Sequence, residues 1–353
     1  MDKINHERLR KNAPARAGAV NHSFFRRKTG MMTDIFNKID RNIPLTGEDA
    51  LALLNIKNLS PDYYALLGKA MEISRRDFGD KGYLFAQLGL NIAPCSGNCV
   101  FCSLAQCNST FTQVYEKPVE EILEEVEKID FTRVTALFLM TTADFDPEKF
   151  LEIGRMVRAR IPRQIALVAN TGDFDLSYAL RLKQAGFTGA YHIVRLREGV
   201  DTALPVETRV QSLDAIRDAG LRLYYCLEPI GPEHDYEEMV TEMLRAREYR
   251  VDVMAAMRRV SVEKTRFASR DMIDDFEFAK IAAVTRLVVM PKVSMNVHEP
   301  CITAMLAGVN QLYAELGVNP RDTSARTETG RGFGVDEVAA MLRAAGFRPC
   351  VEQ

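Results

Sequence analysis

The chain has 353 residues, enough for one large domain or two small ones, and 47% of them are apolar, an ordinary share for a globular fold. A formal net charge of -2 gives no electrostatic reason to expect nucleic acid or a membrane surface as partner, and no apolar run approaches the roughly 20 residues of a membrane span. Seven cysteines, three of them clustered, argue against a secreted disulfide framework and for metal ligation in a reducing cytoplasm.

Residues 1–33 form a basic extension (Arg8, Arg10, Lys11, Arg16, Arg26, Arg27, Lys28) with little apolar periodicity and no apolar core of a secretory signal. The expectation is a surface extension of the kind common at termini. Residues 34–80 read as a helical cover. Thr46-Gly47-Glu48-Asp49 precedes the run Ala50, Leu51, Leu53, Leu54 as a helix cap should, and Ser60-Pro61-Asp62 opens a second helix to about Phe78.

From residue 81 to 350 short apolar runs alternate with amphipathic stretches. The runs are Tyr83–Ile92, Val134–Thr142, Ile165–Asn170, Ala190–Leu196, Leu221–Ile230, Val251–Val260, Val293–His298 and Val309–Tyr313. Helical patterns lie near 118–128, 147–160, 174–185, 206–219, 236–248, 274–290 and 301–307, with a last one over Val335–Ala345. Gly186, Gly220 and Gly346 follow helices as C-terminal caps. Eight strand-like runs with intervening helices specify parallel βαβ units. The economical closure is an α/β TIM-type (βα)8 barrel with an N-terminal helical extension, whose site lies at the C-terminal strand ends; pattern alone leaves an open doubly wound sheet as the alternative. The acidic run Glu120, Glu121, Glu124, Glu125 and Glu127 is expected to be a solvated helix face. Gly330-Arg331-Gly332-Phe333-Gly334 lacks the preceding strand of a phosphate loop and reads as a connection to the last helix.

The chemistry concentrates in Cys95-Ser96-Gly97-Asn98-Cys99-Val100-Phe101-Cys102, directly after the first strand. Spacings of three and two residues let three thiolates converge on one iron–sulfur cubane, with Gly97 permitting the tight path. Three ligands leave one iron open, whereas a structural zinc closes with four; a zinc-stabilised binding module using Cys107 as fourth ligand is the non-enzymatic alternative.

These residues resemble the radical S-adenosylmethionine (SAM) superfamily. Over roughly residues 45–350 the chain resembles its biotin synthase-like group, which includes the hydrogenase-cofactor maturase and methylornithine synthase. The likeness extends through Phe276–Leu287 and Ala304–Asn310. It implies a [4Fe-4S] cluster on Cys95, Cys99 and Cys102, reductive cleavage of SAM to a 5′-deoxyadenosyl radical, and hydrogen abstraction from a small molecule. An external one-electron donor of the flavodoxin or ferredoxin kind is implied as well. Candidate SAM contacts are Phe101, Thr141 and Thr142, which stand where the group often has an acidic turn, and Arg195 and Glu198 on the fourth strand. An arginine fork suits the SAM carboxylate.

Period-two alternation places Tyr224, Cys226 and Glu228 on one strand face, so Cys226 and Glu228 are candidate catalytic groups, with His298 at the end of the seventh strand. His192 reads as a core or rim histidine. No cysteine lies between Cys107 and Cys226, so the second-cluster ligands of biotin synthase are missing. Cys107, Cys226 and Cys301 are the set available for a second cluster, and Cys350 is assigned no role. Sulfur insertion of the biotin or lipoyl type and a mutase or lyase reaction on an amino-acid-like substrate both stay open, in cofactor or modified amino-acid biosynthesis.

Overall fold

The computed structural model describes residues 22–108, 114–316 and 332–349. Cys350 and Gly330-Arg331 lie outside them. The chain divides into two compact units at Ile43/Pro44. The described part of the first is one helix, α1 (His22–Asp40), which continues across residues 33 and 34.

The second unit opens with α2 (Gly47–Leu54) and α3 (Pro61–Phe78). Thr46 starts α2 through a reciprocal capping box: its hydroxyl accepts from the Asp49 N–H at 3.2 Å, and the Asp49 carboxylate accepts from the Thr46 N–H at 2.9 Å. Ser60 caps α3 with Pro61 in the first turn, as the sequence predicts. Next come β1 (Lys81–Gly89), β2 (Asn91–Ile92), β3 (Tyr115–Glu116), α4 (Val119–Glu127), β4 (Ala136–Met140), α5 (Pro147–Arg158), β5 (Ala166–Asn170), α6 (Leu176–Gln184) and β6 (Gly189–Tyr191). Then follow α7 (Val206–Asp218), β7 (Arg222–Ile230), α8 (Tyr236–Glu248), β8 (Val253–Arg258), α9 (Asp275–Val289), β9 (Ser294–His298), α10 (Ile302–Met305), β10 (Gln311–Leu316), α11 (Val335–Ala344) and β11 (Arg348–Pro349).

Parallel pairing runs β1-β4-β5-β6-β7-β8-β9-β10, and β10 pairs back onto β1 from Tyr83↔Gln311 to Leu88↔Leu316. The sheet is therefore a closed (βα)8 barrel, and the open-sheet alternative falls. The inward side chains of β1, β4, β7 and β10 include Phe85, Phe138, Tyr224 and Tyr313, whose ring centroids lie 5.2–6.0 Å apart. Stacked and edge-to-face pairs of this kind each contribute about 0.5–1.5 kcal/mol beyond burial. Together they plug the lumen and confine open space to its C-terminal end.

Packing of α3 on α9 is fixed by Arg286, which is fully buried and held by Asp77 at 2.7 Å and by the Ser74 hydroxyl at 2.8 Å. Gly308 ends the α10 region at φ +81, and a Cβ there would stand 2.5 Å from the Ala70 carbonyl oxygen. The close approach of this turn to α3 stops the helix predicted over 301–307 after one turn.

Two expectations need correction. The fourth strand, predicted over Ala190–Leu196, keeps sheet pairing only through Tyr191. Beyond it two backbone N–H groups turn to side chains, Val194 donating to the Tyr225 hydroxyl at 3.1 Å and Arg195 to Glu198 Oε2 at 2.9 Å, while His192 and Leu196 still donate to the β7 carbonyls of Tyr224 at 3.1 Å and Glu228 at 2.8 Å. The acidic face of α4 is only partly solvated. Glu120, Glu124 and Glu127 are exposed, but Glu121 accepts from the Tyr115 hydroxyl and Glu125 pairs with buried Lys117.

Candidate active site

The C-terminal strand ends open on one cavity, and the cysteine loop forms one of its walls. The loop leaves the barrel after β2. The Cys95 N–H donates to the Leu104 carbonyl at 2.8 Å, and the Gln106 N–H donates to the Cys95 carbonyl at 3.1 Å. Asn98 takes the left-handed conformation, φ 46, between Gly97 and Cys99. The neighbouring loops hold it from two sides: the Val100 N–H donates to the Asp201 carbonyl at 3.0 Å, and the Ser96 N–H and hydroxyl donate to Asp144.

Cys95, Cys99 and Cys102 all face the cavity, with Phe101 beside them. Burial pushes the Cys99 thiol up to about 11 and the Cys102 thiol up to about 12, although the Arg195 charge acts to lower both. Each is a thiol at neutral pH, so binding iron must release protons. The thiols share one wall without converging on a point. Among the described residues, no group of three or more His, Cys, Asp or Glu stands at metal-holding separation, and this applies equally to Cys107, Cys226 and Cys301. Cys107 is exposed against the Asn98 carbonyl and Cys301 lies beside the Thr303 hydroxyl; of these three, only Cys226 lines the cavity.

Arg195 crosses the cavity wall between the cysteine loop and the lumen. Its Nε lies 3.3 Å from Glu228 Oε1, while its Nη1 is buried, makes no hydrogen bond and lies 3.7 Å from Glu198 Oε2. Burial opposes the guanidinium charge, but Cys99, Glu198 and Glu228 outweigh it and raise the Arg195 pKa well above the ordinary value. A permanent cation with an unspent buried donor is the feature expected of a carboxylate-binding group. An iron–sulfur cluster and SAM therefore fit the residues present: three soft donors on one wall, and beside them an orphaned guanidinium nitrogen.

The other predicted SAM contacts separate into two sets. Thr141 and Thr142 both line the cavity. The Thr141 hydroxyl meets that of Thr171 at 3.1 Å, whereas Thr142 is committed to Asn91 through its N–H at 3.0 Å and its hydroxyl at 2.8 Å. Glu198 is buried and absent from the cavity wall. It organises the turn after β6 by accepting from the Arg195 N–H at 2.9 Å and the Thr202 hydroxyl at 2.6 Å.

The lumen side carries Cys226, Glu228 and His298, as alternation along β7 and β9 requires. Glu228 accepts from the Tyr191 hydroxyl at 2.8 Å. Burial, with Glu228 and Cys226 adding to it, raises the Tyr191 pKa well above 10, so its phenol stays protonated and keeps donating. His298 stacks near Tyr313 at 5.3 Å and lies 3.8 Å from Glu315. His192 is a core histidine, bonded to Asp173 at 2.9 Å and away from the cavity.

Sequence reasoning missed four participants. Tyr191 was visible as the residue four before Arg195 on the same strand stretch, and Asp144 as the acid closing the β4 turn. Arg209 sits in α7, where the helical pattern hid its burial; it lines the cavity and binds Asp173 at 2.8 Å and the Ile193 carbonyl at 2.9 Å. Gln87 had no signal beyond a polar residue within an apolar strand, yet its buried Oε1 has no partner and the residue lines the cavity.

A parallel barrel presenting a three-thiol loop to the end of its lumen is the architecture of one enzyme class, and residues 93–263 match the family model described as Radical SAM superfamily. The chain belongs to that superfamily. Within it, the chain is of the biotin synthase-like group. It is 27% identical over 303 residues to the biotin synthase of Pelotomaculum thermopropionicum (strain DSM 13744 / JCM 10971 / SI), covering 80% of this chain and 91% of that one. The biotin synthase of Desulforudis audaxviator (strain MP104C) is also 27% identical over 303 residues, with 81% and 90% covered. In structure the chain is similar to a methylornithine synthase (18% identity, TM-score 0.75, 90% of this chain and 97% of that one). It is likewise similar to a maturase of the [FeFe]-hydrogenase (16% identity, TM-score 0.77, 94% and 80%). At such identities the structural likeness speaks for the fold. The superfamily assignment displaces the zinc-module alternative. Among the described residues no helix is long and apolar enough to cross a membrane.

Proposed function

We propose that this radical SAM enzyme fragments or rearranges a small amino-acid-like substrate, as a mutase or lyase, with Cys95, Cys99 and Cys102 holding its one [4Fe-4S] cluster. When bound, the cluster and SAM supply a primary carbon radical after one-electron reduction by an external flavodoxin- or ferredoxin-type donor. The protein's part is to bind, orient and exclude water. Arg195 meets the SAM carboxylate with its guanidinium, and Phe101, Thr141 and Thr142 line the same cavity. Glu198 holds the Arg195 backbone in place.

Glu228 holds both Arg195 and Tyr191, so a substrate in the lumen faces a carboxylate ion-paired on one side and hydrogen-bonded on the other. Cys226 and His298 are the groups placed to exchange a hydrogen or proton with it. The observation that carries this choice is the lumen wall. Directly under the cavity the aromatic plug fills the barrel, and Cys226 is the one thiol on the wall besides the cluster loop.

Sulfur insertion at an unactivated carbon is the second reading, favoured by the likeness to two biotin synthases over nine-tenths of their length. It requires a second cluster as sulfur source, for which Cys107, Cys226 and Cys301 would have to be brought together from separate positions. Iron and sulfide analysis separates the two. About four irons per chain after anaerobic reconstitution supports the mutase or lyase reading, and a reproducible excess supports sulfur insertion. Deuterium transfer from cell metabolites into 5′-deoxyadenosine then identifies the substrate.

A further inference from the structure

Two of the three cysteines sit on an arc, Cys99–Cys102, whose carbonyl groups gather around one side chain outside the motif. The Asn108 Nδ2 donates to the carbonyls of Cys99 at 3.3 Å, Val100 at 3.2 Å and Cys102 at 2.7 Å. An amide nitrogen carries two hydrogens, so three acceptors mean that one hydrogen is shared. On its other side, Asn108 Oδ1 accepts from the Arg266 N–H at 3.3 Å, in the segment between β8 and α9. Cys95, by contrast, is tied by backbone bonds to Leu104 and Gln106. Its position does not depend on Asn108.

We propose that Asn108 is a positioning residue for the cluster: its amide gathers the carbonyls of the Cys99–Cys102 arc, aims the two thiols at a common iron–sulfur face, and ties that arc to the β8–α9 loop. The inference rests on the assignment of Cys95, Cys99 and Cys102 as cluster ligands. The chemistry requires an amide specifically. Aspartate has the same shape and keeps the acceptor for Arg266, but it has no N–H and would turn a carboxylate oxygen toward three carbonyl oxygens. Glutamine keeps both donors on a longer stem. Alanine leaves the carbonyls to water. Because Asn108 is half-buried at the surface of the unit, none of these changes opens a core cavity.

The test compares wild type with Asn108→Asp and Asn108→Gln, each reconstituted anaerobically with iron and sulfide. Three properties are read: thermal melting of the apo-protein, iron retained under challenge by an iron chelator, and the electron paramagnetic resonance spectrum of the reduced cluster with and without SAM. Asn108→Asp should lower the apo-protein melting only slightly, since the bonds it removes lie in one half-buried loop, and by less than its loss of cluster retention. Its cluster should be lost to chelator about tenfold faster, the factor expected from losing one to two net hydrogen bonds, and its spectrum should be broadened. Asn108→Gln should recover much of the retention. Equal retention and an unchanged spectrum in Asn108→Asp overturn the proposal. A matched fall in apo-protein melting with no cluster-specific change does so too, since the role is then merely structural. A wild-type chain that takes up no cluster overturns the cysteine assignment itself, and the proposal with it.

Discussion

Replacing Arg195 by Lys probes the site where its geometry is most demanding. The Arg195 guanidinium is spent on the protein only at Nε, toward Glu228 at 3.3 Å, and weakly at Nη1, where Glu198 lies 3.7 Å away. Buried Nη1 has no hydrogen-bond partner within the protein, so the guanidinium keeps a donor to turn toward an anionic ligand at the cavity wall. A hydrogen bond between charged groups in such a setting is worth about 1.5–3 kcal/mol. At about 1.4 kcal/mol per factor of ten, its loss weakens SAM binding about 10- to 150-fold. Lysine keeps the charge but not the planar fork that spans Glu228 and the ligand together. The assay is isothermal titration of SAM into cluster-loaded protein, with iron content matched between wild type and variant and apo-protein melting as the folding control. An unchanged SAM dissociation constant in a properly loaded variant refutes the reasoning, and Arg195 is then only a structural cation for Glu228.

Other expectations follow from the same contacts. Burial holds His192 down to about 3 from an ordinary 6.5, while Asp173, despite the upward push of burial, is held at about 2 by His192 and Arg209. Both folded values lie below the unfolded ones, so this stabilisation is complete above pH 6.5 and declines as pH falls toward 3; the His192 share is at most roughly 5 kcal/mol, at about 1.4 kcal/mol per pH unit. Urea melts of the apo-protein at pH 7 and pH 4.5 should show the decline, and His192→Gln should flatten it. Gly154→Ala would set a Cβ 2.3 Å from the Phe187 ring, which is stacked on Phe150, and should lower stability by about 1–3 kcal/mol in the same melts. Cys226→Ala should leave iron content and 5′-deoxyadenosine release intact while reducing product formation by about 100-fold or more. Product turnover at the wild-type rate would remove Cys226 from the chemistry.

Local patterns carried much of the fold into view. The caps at Thr46 and Ser60, the eight apolar runs and the glycines after helices are short-range signals, and their alternation specifies parallel βαβ units; closure against an open sheet came only with the pairing of β10 on β1. The cysteine loop was legible for the same reason: its three cysteines lie within eight residues. Tertiary effects were not legible. The fourth strand loses regular pairing early because Tyr225 and Glu198, distant or off-pattern, capture the N–H groups of Val194 and Arg195. Glu121 and Glu125 turn inward because Tyr115 and Lys117 meet them from β3 and the loop after it. The same limit applies to the site. Glu198 looked like a ligand-binding acid at the end of a strand, yet it is spent on the turn that carries Arg195. Arg209, inside the helical pattern over 206–219, is buried against Asp173. Six residues beyond the last motif cysteine, Asn108 gave no signal until its three carbonyl partners were placed around it.

The central claim is that three thiols hold one catalytic cluster, and its most direct measurement pairs wild type with Cys99→Ala. Both are reconstituted anaerobically, analysed for iron and zinc, reduced with dithionite in the presence of SAM, and assayed for 5′-deoxyadenosine. The account predicts a brown wild-type protein with about four irons per chain that releases 5′-deoxyadenosine, and a folded variant that does neither. A colourless wild-type protein carrying one zinc, or undiminished release from Cys99→Ala, would contradict it.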